Sequence, residues 1–380
     1  MRLSILLSLT IASLTSALPV VEQPAGTCSK PRIRKEWRTL SSSEQDAYID
    51  AVKCLKRAPS KGTAIFSTLK TRHDDFVALH INATRGGQDA PSITNPDLPL
   101  PNITLYGVHT VGVFLPWHRY AIWIFESVLR SECNYTGAQP YWDWTLDNAS
   151  TGNGSILTSP VLEAFGGNGV EPSGCIQRGP FSGNDSLNIG PVESMAQNPR
   201  CLTRAVDVDM FEKGANWDEI YPPTMQAKNY YQLQNFIDGL SFVDEADKIP
   251  TSAGINPHGL GHMGVGGDIR DIYSSPNDPL FWLHHTQLDY MWALWQSRDP
   301  ARLADISGPR TMEGLGPGRD AVEQTTVDTP VWMGFVGDDV KVGAILDTIN
   351  REGGGVLCYK YEDSPSLAGR NFTTPRLRKA

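Results

Sequence analysis

Apolar and polar positions along this 380-residue chain resolve into a few helical stretches separated by long polar segments. After Met1 and Arg2 comes an apolar run over 3–14, closed by the small residues Thr15, Ser16 and Ala17. A charged tip, a short apolar stretch and a cleavage-like site predict a secretory signal over 1–17. The run is too short to span a bilayer, and no later segment approaches that length. Residues 18–32 read as an extended arm. Ser41, Ser42, Ser43 and Glu44 have the capping-box pattern, which predicts a helix running through Tyr48, Val52 and Leu55. A second helix is expected over about 66–81, followed by a Gly-, Pro- and Asn-rich loop over 86–105.

Pro116 is expected to open a third helix, because proline is favoured at the first helical position. His118, Ile122, Phe125 and Leu129 keep helical spacing and give that helix one buried face. Residues 146–200, rich in Gly, Ser, Pro and Asn, read as long surface loops. Asn256 and Pro257 have the look of a cap and a first helical residue, and Asp278 with Pro279 repeats the device ahead of a helix over 281–296. Residues 300–380 alternate like short strands and turns, with VWMGFV (331–336) and VLCYKY (356–361) as examples.

Composition adds a compartment. Asn82, Asn102, Asn134, Asn148, Asn153, Asn184 and Asn371 each lie two residues before Ser or Thr, the acceptor pattern for N-glycosylation. The six cysteines are scattered with no C-x-x-C pair, so disulfides are expected, Cys175–Cys201 among them as a local pair. Secretion agrees with both. The net charge of -9 and pI near 5.4 argue against nucleic acid or an anionic membrane as partner.

The chemistry lies in the histidines. Six of the eight fall into two groups, His80, His109, His118 and His258, His262, His285. Imidazole is the commonest metal ligand, and two all-histidine sites without cysteine or carboxylate point to copper handling dioxygen. His258 and His262, four apart, share one helical face. The zinc-protease motif needs Glu directly after the first of them; here stands Gly259, which argues against a metalloprotease. His109 and His118, nine apart, would face opposite ways on one helix, so His109 must precede the helix. Spacing does not choose between His80 and His73, nor between His285 and His284. Because residues from 80 to 285 must converge on one place, a single domain is expected.

These residues resemble the tyrosinase and catechol oxidase (polyphenol oxidase) family of dinuclear, type 3 copper proteins, over about 34–361. FLPWHRYAIWIFE (114–126) is similar to the first copper motif, NDPLFWLHHTQLDYMW (277–292) to the second, and PYWDW (140–144) to the segment that follows the first. The resemblance implies a mainly α fold: an antiparallel four-helix bundle around a dinuclear copper centre, with long loops and a few short strands, in one catalytic domain over 18–380. It implies His80, His109 and His118 for copper A and His258, His262 and His285 for copper B, with dioxygen as cosubstrate, leaving His73 and His284 structural. Tyr359, Lys360 and Tyr361 resemble the family's tyrosine motif, expected to pack on Arg34. The chain is expected to be a short, secreted, fungal-like form without the C-terminal shielding domain of longer relatives. No cysteine lies between Cys54 and Cys133, so a thioether to His109 is not expected.

The resemblance also frames the surroundings. Relatives that hydroxylate monophenols well often carry Asn where Gly259 stands, working with an upstream Glu to orient a water; Asp238 is the candidate for that Glu. Asp289 is expected to accept a histidine N–H, to organise a neighbour or to form a plain helix salt bridge, Asp143 and Glu126 similarly, with Glu126 paired to Arg119. Phe281 is expected over the copper pair, and Met263 and Ile272 at the substrate entrance. The implied function is oxidation of o-diphenols to o-quinones, with weak or selective action on monophenols and aminophenols. A true tyrosinase (monophenol monooxygenase) and a reversible dioxygen carrier are the alternatives.

Overall fold

Ser41 caps helix α1 (Ser42–Leu55): its hydroxyl accepts the Glu44 N–H while the Glu44 carboxylate accepts the Ser41 N–H. Tyr48, Val52 and Leu55 are buried along it, as the pattern requires. This computed structural model describes residues 27–85, 107–151, 154–183, 186–239, 248–249, 254–310 and 323–370. The expected signal over 1–17, the loop over 86–105 and the sequons at Asn102, Asn153, Asn184 and Asn371 lie outside the described residues.

Helix α2 (Arg72–Thr84) starts six residues later than expected, because Thr71 and Asp74 form a second capping box that fixes the entry. Helix α3 (Phe114–Glu132) starts two residues before Pro116. Pro116 thus sits within the first turn, where the missing N–H has no intrahelical acceptor to lose. Residues 146–200 are largely irregular, as expected, but they are not all surface. They carry α4 (Pro160–Ala164), and Ile156, Val161, Leu162, Phe165 and Ile189 are fully buried. Three helices without an expected counterpart follow: α5 (Val208–Gly214), α6 (Trp217–Gln226) and α7 (Tyr230–Asp238), capped by Asp207, Asn216 and Asn229.

Asn256 caps α8 (Pro257–Val265), its side-chain oxygen accepting the Gly259 N–H at 2.6 Å. Before α9 (Leu280–Gln296) the N-cap is Pro279 instead of Asp278, which stands one residue earlier and accepts the Leu280 N–H at 2.9 Å. Helices α3 and α9 run antiparallel: Phe125, late in α3, stacks on Trp282, early in α9, at 3.8 Å, whereas Arg119, early in α3, reaches Gln296 at the end of α9. Phe76 of α2 closes on both rings, 5.2 Å from Phe125 and 5.6 Å from Trp282.

The strands are short. β1 (Arg32–Arg34) pairs in parallel with β4 (Tyr359–Tyr361), Arg34 opposite Tyr361, and β2 (Pro330–Val331) pairs antiparallel with β3 (Val340–Lys341). Of VWMGFV only Val331 is strand; the chain then turns, Val336 N–H bonding back to Met333 O. The cysteines pair as Cys28–Cys358, Cys54–Cys133 and the expected Cys175–Cys201. Among the described residues no helix is long and apolar enough to cross a membrane. Two sequons are corrected by burial. Asn82 is enclosed on α2, and Asn148 donates to the carbonyls of Phe211 and Glu212, so neither side chain is free to carry a glycan, whereas Asn134 is exposed.

Candidate metal centre

Four helices and one loop deliver six imidazoles to one place. His80 comes from α2, His118 from the first turns of α3, and His109 from the loop ahead of α3, as its spacing demanded. Their ring centroids lie 5.1, 5.4 and 5.7 Å apart. His258 and His262 share a face of α8 with centroids 4.6 Å apart, and His285 of α9 lies 5.2 Å from each. Within each trio one nitrogen per ring lies within 4.8 Å of the others. The trios face one another: His118 stacks on His285 at 4.3 Å, and His109 lies 5.5 Å from His258 at an interplanar angle of 13°.

Hydrogen bonds turn most of the rings the same way. Nδ1 of His80 lies 2.6 Å from Tyr273 O, that of His118 2.8 Å from Phe114 O, and that of His262 2.5 Å from Ile269 O. Nδ1 of His258 lies 2.9 Å from Asp238 Oδ1. Each of these partners is an acceptor, so each Nδ1 carries the hydrogen and each Nε2 keeps its lone pair. The buried Nε2 atoms of His80, His118 and His258 have no hydrogen-bond partner. His262 Nε2 lies 3.1 Å from His285 Nε2. Two nitrogens about 2.0–2.1 Å from one tetrahedral ion sit roughly 3.3 Å apart. Orphaned lone pairs aimed inward fit metal ions.

His284 also reaches the second trio, but its nitrogens are engaged. Nδ1 accepts the Trp144 Nε1–H at 3.2 Å, and Nε2 donates to His258 O at 3.1 Å. That leaves His285 as the third ring and gives PYWDW a role, since its last tryptophan anchors the neighbouring histidine. Gly261 belongs to the same packing: a Cβ there would lie 2.2 Å from the His284 ring. His73 is buried elsewhere on α2.

Two phenylalanines wall the centre. Phe281 lies 4.1 Å from His285 and 5.1 Å from His80, as expected. Phe114, which the sequence pattern did not single out, lies 4.7 Å from both His118 and His258. Burial, reinforced by the neighbouring rings, holds His109, His118, His262 and His285 well below the usual imidazole pKa. Burial likewise takes His80 down to about 4. These rings are therefore neutral near pH 7, the form that binds metal. His258, with 13% of its side chain exposed, marks the open side. Beside it a cleft of about 580 Å³ is lined by Asn256, Gly259 and Met263 together with Asp207, Asp209 and Lys213. Met263 and Ile272 are among the exposed large apolar residues.

Of the alternatives open to Asp289 the salt bridge is the one that holds, while Glu126 has other partners than expected. Asp289 accepts no histidine N–H; it takes Arg119 at 2.5 Å, Arg34 at 3.2 Å and the hydroxyls of Tyr359 and Tyr361. Burial opposes its charge, but the two arginines and two hydroxyls outweigh this and lower its pKa. Glu126 pairs with Arg34 and Arg32 instead of Arg119. Asp143 accepts Tyr221, Ser364, Ser366 and Thr145 and reaches no imidazole. Asp238 is the carboxylate that does. Arg34 stacks over Tyr359 at 3.6 Å, as the tyrosine motif implied.

Residues 70–298, which carry both trios, match the family described as the common central domain of tyrosinase. The chain belongs to the tyrosinase family. It is 30% identical to Tyrosinase P of Aspergillus terreus over 93% of this chain and 98% of that protein. It is 31% identical to the N-acetyl-6-hydroxytryptophan oxidase of Emericella nidulans, over 93% and 99%. Among solved structures it is similar to a glycine-to-asparagine variant of polyphenol oxidase from Thermothelomyces thermophila, with TM-score 0.68, 28% identity, and coverage of 88% and 89%. A tyrosinase-family enzyme uses two copper ions with dioxygen as cosubstrate and acts on phenols, and the paired trios fit that cofactor.

Proposed function

We propose that this chain is a secreted copper oxidase that converts o-diphenols to o-quinones, with weak or selective action on monophenols and aminophenols. In this reading His80, His109 and His118 hold one copper and His258, His262 and His285 the other. The supporting observation is the pair of imidazole trios, face to face, with orphaned Nε2 atoms directed inward. Bound copper would supply the electron transfer between the diphenol and dioxygen, which imidazole side chains alone cannot perform. The chain's own groups do the rest. Carbonyls of Tyr273, Phe114 and Ile269 fix the rings, and Phe114 and Phe281 exclude water around them. The substrate ring enters on the side of His258, past Gly259, Met263 and Ile272.

The diphenol preference is supported by what stands near that opening. Hydroxylating a monophenol is helped by a base that takes the phenol proton, a contribution of about 10²–10⁴-fold. Gly259 offers no side chain, and both oxygens of Asp238 already accept N–H groups. A second reading, selective action on one monohydroxylated aromatic, is favoured by the relative named for N-acetyl-6-hydroxytryptophan. Oxygen uptake over a panel of phenols separates them. Catechol should be consumed at least tenfold faster than tyrosine, and equal rates would refute the preference. Quinone formation on adding catechol would also set the chain apart from a reversible dioxygen carrier.

A further inference from the structure

The two trios are joined by one carboxylate at the end of a helix that the sequence pattern did not reveal. Asp238 closes α7 and is buried. Its Oδ1 lies 2.9 Å from His258 Nδ1 in one trio. Its Oδ2 accepts the N–H of Thr110 at 2.5 Å, and Thr110 directly follows His109 of the other trio. Thr110 has φ +58°, a left-handed conformation that costs a β-branched residue about 1–3 kcal/mol and persists only when neighbours hold it. The Oδ2 bond is such a hold. The next residue, Gly239, has φ +74°, and a Cβ there would lie 2.1 Å from Asn256 Nδ2. The end of α7 is therefore seated against the cap of α8, the helix that carries His258 and His262.

We propose that Asp238 is a positioning residue that sets the two copper trios against each other, one oxygen fixing the plane and tautomer of His258 and the other holding the loop of His109. This rests on the reading of both histidines as copper ligands. The near-parallel rings of His109 and His258, 13° apart across 5.5 Å, are the geometry this bridge maintains. The position requires two acceptors at once. An asparagine has one acceptor and one donor. Turned one way, its amide N–H meets the Thr110 N–H. Turned the other way, it donates to His258 Nδ1 and drives the hydrogen to Nε2, which removes the lone pair from the metal side.

Copper content and affinity, measured by competition against a chelator, test the bridge in wild type and in Asp238→Asn. Wild type should retain two ions. The variant should retain one, with the other bound about 10–100-fold more weakly, the usual loss when a ligand-orienting partner is removed. Wild-type affinity for both ions in the variant would overturn the proposal, since a merely structural role lowers the melting temperature without changing copper binding. A second measurement needs no variant. In the reduced, copper-loaded, diamagnetic protein labelled with ¹⁵N-histidine, His258 should carry its hydrogen on Nδ1; a hydrogen on Nε2 overturns the proposal. Wild type that takes up no copper would sink the functional reading and this bridge with it, whereas equal binding by Asp238→Asn sinks the bridge alone.

Discussion

At the scale of single residues, what separates a ligand from its neighbour is where the second ring nitrogen goes. His284 and His285 are adjacent, equally buried and both held low in pKa by burial. His284 spends both nitrogens on Trp144 and His258 O, while His285 turns Nε2 toward His262. His284→Ala should therefore keep two copper ions and lose about 2–5 kcal/mol of stability, through the buried Trp144 N–H and His258 O left unpaired. His285→Ala should lose copper from the second trio. Elemental analysis beside urea unfolding checks both, and loss of copper from His284→Ala would reverse the assignment. Spacing alone could not make this distinction, because α9 is buried nearly all round, so no polar face marks which of two neighbouring rings points to the centre. The six rings were legible as two groups, but the Tyr273, Phe114 and Ile269 carbonyls that orient them were not. Any residue type supplies a carbonyl, so sequence carries no mark of it.

Elements were legible where caps or apolar stripes are strong. The Ser41 box, the Asn256 cap and the stripe of α3 each mark a helix correctly, because local hydrogen bonds and one buried face decide those segments. The start of α2 was misplaced since apolar residues upstream of Thr71 extend the pattern while the Thr71–Asp74 box ends it. Helices α5 to α7 went unseen for another reason. They are short, and α6 carries Pro222 and Pro223, a pair that reads as a breaker until tertiary packing overrides it. The functional cost was Asp238, whose carboxylate reads as a loose candidate until α7 is in place. The α2–α3–α9 contact shows what holds the bundle that presents the rings. Trp282, three residues before His285, stacks on Phe125 at 3.8 Å and meets Phe76 edge-on at 5.6 Å. Trp282→Ala should cost about 3–5 kcal/mol, as large-to-small changes of buried aromatics do. An unfolding free energy lowered by less than about 1 kcal/mol in urea would show that the three helices are held elsewhere.

Across the whole molecule, the N-terminal strand is bound to the C-terminal one through the centre of the bundle. Cys28–Cys358 links residues 330 apart in sequence, and β1 pairs with β4 beside it. Beneath them Arg34 reaches Glu126 of α3 and Asp289 of α9 and stacks on Tyr359. Burial opposes the Arg34 charge, but Tyr361, Glu126, Tyr359 and Asp289 around it outweigh that penalty and raise its pKa. Asp289 stands one turn after His285, so this ionic core and the candidate copper centre share α9. Removing the guanidinium leaves Glu126 with the partly exposed Arg32 as its one ion-pair partner among the described residues and strips Asp289 of one of its two arginines. Breaking a buried pair in this way typically costs about 3–5 kcal/mol, more than the pair itself contributes when intact. Arg34→Ala should fall in that range, with the urea midpoint lowered and the slope unchanged. The disulfide persists in that variant, so the two contributions are separable. If Arg34→Ala unfolds at the wild-type midpoint, the covalent link rather than the ionic core is what closes the chain around its centre.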